Sequence, residues 1–155
     1  MDAISAEALN GLAAAIQSLL PVPTDPNLKP SVVVQATSVT PAGIGGVVGV
    51  NHDPDGDIVG RRIEAIVGVG LRAQADAIAA SVSGAINAVV AADRAVLLNQ
   101  GLLRVTVDKV GDRSAGQGNL VEQEVAFRVL YEFLKKPVDP QDIIREIPIS
   151  IQLLQ

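Results

Sequence analysis

Two segments of the sequence alternate apolar and polar residues so regularly that they allow few structures. One is residues 61–72, and the other is residues 121–133, which contain all the aromatic side chains of the chain: Phe127, Tyr131 and Phe133. Because successive side chains of a strand point to opposite faces, a period of two predicts strands with one buried face. In the first segment that face is predicted to consist of Ile63, Ala65, Val67, Val69 and Leu71.

Other segments have the period of a helix. Apolar residues recur every three or four positions in residues 3–20, which predicts a helix there. The alanine-rich residues 75–99 predict one long helix, with Gly101 as its C-terminal cap. Residues 21–30 contain four prolines, which disfavour helix and favour an extended connector. We therefore expect the first helix to be a separable arm, joined to the body by this connector.

The remaining strands are predicted from shorter β-branched or alternating segments, at residues 32–39 and 103–108 and at the C-terminal residues 143–155. Residues 40–60 are rich in glycine and predict a long loop or a loose hairpin. The length of 155 residues fits one domain. The sequence thus predicts an α+β fold over residues 1–155: a small, mostly antiparallel sheet covered by a long helix, with an N-terminal helix arm and a C-terminal strand extension.

Composition excludes several classes of site. The chain carries 12 basic and 17 acidic residues, a net charge of -5, which disfavours specific nucleic-acid binding and binding to an anionic membrane. It has no cysteine, so disulfides, thiolate metal sites and a cysteine nucleophile are excluded. Its one histidine, His52, cannot form a multi-histidine metal site within one chain. Residues 77–92, the longest uncharged helical stretch, are too short to span about 30 Å of hydrocarbon.

One stretch resembles a calcium-binding loop. Asn51, Asp53 and Asp55 occupy the first, third and fifth positions of such a loop, and Gly56 stands at the turn position. The twelfth position, which requires a bidentate glutamate, is Arg62. The simpler interpretation is an Asx-rich turn at the tip of a loop. A calcium-binding or small-ligand module that uses this acidic loop stays open as an alternative.

Two further loop features carry little catalytic chemistry. The run that contains Gly43, Gly45 and Gly46 resembles a phosphate-binding loop only loosely, since no lysine follows and no helix is predicted to begin there. A loop that becomes ordered against a partner explains it better. His52 lies beside an aspartate and could serve as a general base, but no serine stands in a nucleophile-elbow sequence.

A pair of carboxylates is predicted on one strand. Glu122 and Glu124 share a strand face, and paired carboxylates can perform acid–base chemistry. A solvated or subunit-facing charged face, opposite Arg104 or Arg128, is the simpler interpretation. We therefore predict no catalytic residues, no cofactor and no enzyme activity.

The C-terminal segment carries most weight for function. Residues 143–154 form a strongly apolar, β-branched strand pattern after two prolines. Such a strand can complete its own sheet, or it can add to the exposed edge of a neighbour's sheet. Together with the helix arm and the glycine-rich loop, it makes three extensions around a small core. That arrangement is typical of subunits that assemble into rings.

This order of elements resembles the tail terminator, or tail completion, proteins of long-tailed phages and contractile injection systems. The similar stretches are residues 31–39, residues 60–72 with the long helix that follows, and residues 120–137. Residues 124–134, followed by the C-terminal strand, are most similar to the contractile branch. The glycine-rich insert at residues 41–60 and the scarcity of aromatic residues depart from the family pattern.

The resemblance implies a structural role. Family members form hexameric rings that sit on the last ring of a tail tube, end its polymerisation and join it to sheath, neck or cap. The implied partners are therefore copies of the chain itself, the tube protein, and a sheath, neck or cap protein, with DNA or cargo passing through the lumen. Assembly is expected in the bacterial cytoplasm, within a phage or injection particle. Another neck or sheath-adjacent structural subunit is the alternative within the same assembly.

The candidate interface residues follow from the pattern alone. We expect the glycine-rich segment to contact the tube or cap, and the C-terminal strand to contact a neighbouring subunit or the sheath. The residues concerned are Gly43, Gly45, Gly46, Asp53 and Asp55 in the first segment and Ile147, Ile149 and Ile151 in the second.

Overall fold

An antiparallel sheet with helices on one of its faces organises the chain. The computed structural model describes residues 3–42, 47–52 and 55–135. This confirms the predicted α+β class and the N-terminal helix. The helices are α1 (Ala3–Leu19), α2 (Ile78–Val90) and α3 (Arg94–Asn99), with a short 3-10 turn at Pro26–Leu28; the strands are β1 (Ser31–Pro41), β2 (Val47–His52), β3 (Asp55–Gln74), β4 (Leu102–Val110), β5 (Ser114–Ala115) and β6 (Leu120–Lys135).

The two long strands β3 and β6 form the centre of the sheet. They pair antiparallel along 16 residues each, from Val59 opposite Lys135 to Gln74 opposite Leu120. On the outer side of β3 lie β1 and then β2, and on the outer side of β6 lie β4 and then β5. Strands β1 and β2 pair with successive parts of the same edge of β3, and β4 and β5 pair with successive parts of the same edge of β6. The antiparallel pair predicted after the long helix is confirmed as β4 with β6.

The core lies between one face of this sheet and the helices. The predicted buried face of β3 is confirmed, and β6 contributes a matching row opposite it. Because the chain has few aromatic residues, aliphatic side chains from two helices fill most of the space above the sheet. The buried residues form one cluster: Ile63, Ala65, Val67, Val69, Leu71 and Ala73 of β3, Val125, Phe127, Val129 and Tyr131 of β6, Leu102 of β4, Ala8, Leu12, Ala15 and Ile16 of α1 with Leu20 just after it, and Ile78, Val82, Ala85 and Val89 of α2.

The prediction that the first helix is a separable arm is wrong. Ala8, Leu12 and Ile16 are fully buried in the same cluster as the sheet, and α1 contacts three strands. An ion pair of 2.7 Å between Glu7 Oε1 and Lys135 Nζ also joins α1 to the end of β6. The prolines mark a connector correctly, but a stiff connector does not prevent a helix from folding back onto the apolar face of its own sheet.

The predicted long helix is also divided. It ends at Val90 and resumes at Arg94 as α3. Asp93 caps the second part, since its Oδ1 accepts a hydrogen bond of 3.2 Å from the backbone N–H of Ala95. An aspartate at this position favours a new helix start over a continuous helix. Gly101 lies just after α3 with φ of +82°, the left-handed conformation expected of a residue that ends a helix.

The predicted glycine-rich loop is largely a hairpin. Strand β2 pairs antiparallel with the beginning of β3, from Val47 opposite Val59 to His52 opposite Asp55. Of the two interpretations that the sequence left open, the hairpin describes these residues. The predicted C-terminal strand at residues 143–155 lies outside the described residues. None of the helices in the described ranges combines the length and the apolar character needed to cross a membrane.

Gly11 is expected to be required where α1 crosses the aromatic side chains of β6. A Cβ atom at this position would lie 2.7 Å from Oη of Tyr131, whose side chain is buried. Replacing Gly11 by Ala should therefore lower the free energy of unfolding by about 1 kcal/mol, although alanine has the higher helix propensity. Urea denaturation measures this change.

The variant Tyr131→Phe provides the control, because it removes the oxygen that the new methyl group would meet. In that background Gly11→Ala should be neutral or stabilising. An equal loss of stability in both backgrounds would contradict the proposed contact.

Tyr131 should also make the fold sensitive to alkali. Burial raises the pKa of its phenol above the ordinary value of 10.0. The unfolded chain then loses this proton first as the pH rises through 10, so the free energy of unfolding falls there. Below this range the free energies of unfolding of the wild type and of Tyr131→Phe should differ by a constant amount, and within it that of the wild type should decline more steeply with pH. Parallel curves would count against this assignment.

Candidate interaction surface

The face of the sheet away from the helices, here called the open face, is the main described surface without a covering element. Its residues alternate with the core residues of the same strands and are exposed or half-buried. They combine charged, small and apolar side chains. The residues that define it are Val33 and Gln35 of β1, Arg62, Glu64, Ile66, Gly68, Gly70 and Arg72 of β3, and Glu122, Glu124, Ala126, Arg128, Leu130 and Glu132 of β6.

Ion pairs across neighbouring strands balance much of the charge on the open face. The partner expected for Glu122 was Arg104 or Arg128, and this expectation is wrong, because Glu122 pairs with an arginine on β3. Each arginine involved reaches an acid on the adjacent strand: Arg62 Nη2 to Glu132 Oε2 at 2.8 Å, Arg72 Nε to Glu122 Oε1 at 3.2 Å, and Arg128 Nη2 to Asp108 Oδ1 at 3.1 Å.

Two glycines make room for side chains of adjacent strands on the same face. A Cβ atom at Gly68 would lie 2.9 Å from Oε1 of Glu124, and one at Gly70 would lie 2.5 Å from Oγ of Ser31. The glutamate and serine side chains therefore lie over the glycine backbone. Both glycines thus accommodate side chains of their own sheet.

A polar cleft of about 270 Å³ lies at one end of the open face, beside Gly70. Arg72, Asp112, Glu122 and Glu124 are among its lining residues. The acids are spread around a wide opening, and within the described ranges no three acidic or histidine side chains are close enough to hold a metal ion. The cleft therefore offers polar contacts to a partner.

A two-stranded ribbon extends the sheet beyond its body. We define the ribbon as β2 together with residues 55–58 of β3, because pairing of β3 with β6 begins only at Val59. At roughly 3.3 Å per residue, these four residues of β3 extend about 13 Å past the last pair with β6. An isolated two-stranded hairpin is marginally stable in water, so a ribbon of this kind gains most from a surface that covers it.

Both outer strands of the sheet leave one edge unpaired among the described residues. The edge strand β4 carries Arg104, Asp108 and Lys109 and is interrupted by two irregularities of register. The edge strand β1 contains no charged residue, and its register is regular from Ser31 to Ala36. Charges and bulges on an edge discourage the addition of another strand, so the two edges differ in what they permit.

The structure places only one of the predicted interface residues within its described part. Asp55 begins β3, and its backbone lies opposite His52 in the ribbon. The other residues, Gly43, Gly45, Gly46, Asp53, Ile147, Ile149 and Ile151, lie outside the described residues. The β1 edge was not among the predicted interface residues, although the absence of charge in residues 31–41 can be read from the sequence.

No protein-family model matches the chain, and no curated protein matches it.

The ion pairs of the open face should contribute little to stability. Arg62 is half exposed in its pair with Glu132, with 51% of its side chain accessible to solvent, so water screens the interaction. A double-mutant cycle with Arg62→Ala and Glu132→Ala should give a coupling energy below about 1 kcal/mol, measured by urea denaturation. A coupling energy of several kcal/mol would show that this ion pair stabilises the fold strongly. The side chains of the open face would then be poorly suited to rearrange against a partner.

Proposed function

We propose that this chain is a structural subunit of a ring that caps the tail tube of a contractile tail or injection particle. Copies of the chain form the ring, which is hexameric in the family that the sequence resembles. The ring ends tube polymerisation and joins the tube to sheath, neck or cap, and DNA or cargo passes through its lumen. Assembly takes place in the bacterial cytoplasm, and the subunit carries out no reaction.

The observation that carries this proposal is the ribbon. It continues the sheet past the β6 ladder and is paired along one side only, although a lone domain gains nothing from extending a marginally stable hairpin into water. In a ring seated on a tube, such an element can lie against a neighbouring subunit or against the tube below. Of the three predicted extensions, α1 packs in the core and the C-terminal strand lies outside the described residues. The ribbon is therefore the extension that supports the proposal.

The unpaired edges and the open face give further support. The sheet is closed on its helix-covered face, but both outer strands and the opposite face remain available among the described residues. A ring in which each subunit presents one edge to the next covers such surfaces by a head-to-tail contact that closes on itself. The charge pairs of the open face leave it nearly balanced, which suits contact with other proteins more than with nucleic acid.

Replacing the ribbon tests the proposal. Backbone N–H of Ala42 donates to the carbonyl of Gly60 at 3.1 Å, so these residues face each other at the base of the ribbon. Joining them by Asn-Gly in place of residues 43–59 should give a tight hairpin and keep the body folded. We expect this variant to retain its circular dichroism spectrum and cooperative unfolding but to lose ring formation, measured by light scattering and negative-stain electron microscopy.

A tube-capping assay completes the experiment. The wild-type chain should shorten tubes of the tube protein from the same particle and appear as a density at one tube end, and the variant should not. Helix variant Arg94→Gln is the matched control, because it changes one exposed charge on α3 and leaves both the ribbon and the open face intact. A wild-type chain that stays monomeric and neither binds nor shortens tubes would overturn the proposal.

A further inference from the structure

The edge of β1 lacks the features with which proteins protect an exposed strand. Residues from Ser31 to Ala36 are regular in register and uncharged, and the side chain of Val33 is 67% exposed. On the helix side, Val32, Val34 and Ala36 are only partly buried against the core. A strand added beside β1 would form hydrogen bonds with the backbone groups on the unpaired edge of β1. The side chains of the added strand would bury these three residues further.

The opposite edge is poorly suited to the same role. Strand β4 presents Arg104 and Lys109 and has register shifts near both ends. An added strand would have to place its own side chains beside these cations and could not follow a regular ladder. The two edges therefore favour β1 as the acceptor.

The sequence of the chain supplies a matching donor. Residues 147–155 contain no charged residue, and Ile147, Ile149, Ile151 and Leu153 alternate with Pro148, Ser150 and Gln152. Proline has no backbone N–H to donate, so a strand that contains Pro148 can pair fully along one edge only. The fully pairing edge is the one to which the backbone N–H and C=O groups of Ile147, Ile149 and Ile151 would point. The segment is thus suited to be the outermost strand of a sheet, with its isoleucines on one face.

We propose that residues 147–153 of one copy of the chain add as a strand to the β1 edge of a second copy, with the isoleucines on the side of the helices. This inference rests on the proposed function, since it requires self-assembly. A second copy is favoured over the same molecule because Lys135, after which the donor segment follows, lies beyond β3 from β1. The ribbon continues past that point, so a chain returning to its own β1 would have to cross it.

Cross-linking between two differently marked chains tests the inference, and the natural absence of cysteine makes it clean. Val33→Cys marks the acceptor and Ser150→Cys the donor, since both side chains would lie on the open face. The two variants are purified separately, mixed and treated with a short bis-maleimide. We expect a cross-linked heterodimer that joins positions 33 and 150, identified by mass spectrometry of its peptides. Thr106→Cys on the β4 edge, mixed with Ser150→Cys, is the matched control and should give only background.

Three outcomes overturn the inference, and a fourth concerns the proposed function only. In a variant that carries both Val33→Cys and Ser150→Cys, cross-linking inside one chain without dimers would assign the segment to its own sheet. A dimer joined through two copies of position 33 would assign the edge to β1 of the second copy. Rings seen by electron microscopy without the 33–150 product would refute strand donation and leave the proposed function standing. Cross-linked chains that never cap a tube would refute the proposed function alone.

A charge on the acceptor edge provides a second measurement. Val33→Lys places an ammonium group on β1 without entering the core, because Val33 is mostly exposed. The concentration needed for assembly should rise about tenfold or more, which corresponds to roughly 1.4 kcal/mol per contact. Thr106→Lys, the same charge on the β4 edge, should assemble like the wild type. Equal assembly of both variants would contradict a donated strand at β1.

Discussion

The long antiparallel ladder between β3 and β6 is the contact on which the rest of the structure depends. It joins strands of 20 and 16 residues through 16 pairs, and every other strand pairs with one of these two. Its apolar face carries Val67, Phe127 and their neighbours, all fully buried, and this face determines where α1 and α2 pack. The ladder therefore positions the core on one side and the open face on the other.

How far the fold could be predicted depends on whether a signal was local. The alternation in residues 61–72 and 121–133 predicted both central strands and their buried faces, because side-chain direction in a strand follows from neighbouring positions. The docking of α1 was predicted wrongly, because its prolines describe the connector and not the surface to which the helix returns. The helix break at Asp93 was missed, because capping by one side chain competes with a strong alanine pattern.

The candidate surface was less predictable than the fold for a related reason. That residues 31–41 contain no charge can be read from the sequence, but that β1 is an edge strand follows only from the strand order. The same order shows that the charged β4 is the opposite edge. Charge and position together distinguish an edge that is protected from one that can accept a strand, and neither alone does so. The open face likewise depends on both helices choosing the same side of the sheet.

An exposed acceptor edge raises the question of what stops assembly after one step. If any apolar strand could add to β1 and then present its own free edge, copies of the chain would grow into an open aggregate. In the proposed donor, Pro148 answers this physically, since the outer edge of a strand over residues 147–153 would lack the backbone N–H of its second residue and could not pair regularly along its whole length. Donation from each copy to the next would therefore cover the β1 edge with a strand to which no further strand can add regularly. With such a head-to-tail contact, the acceptor edge of every subunit is covered only when the ring closes, and the sheets do not grow further.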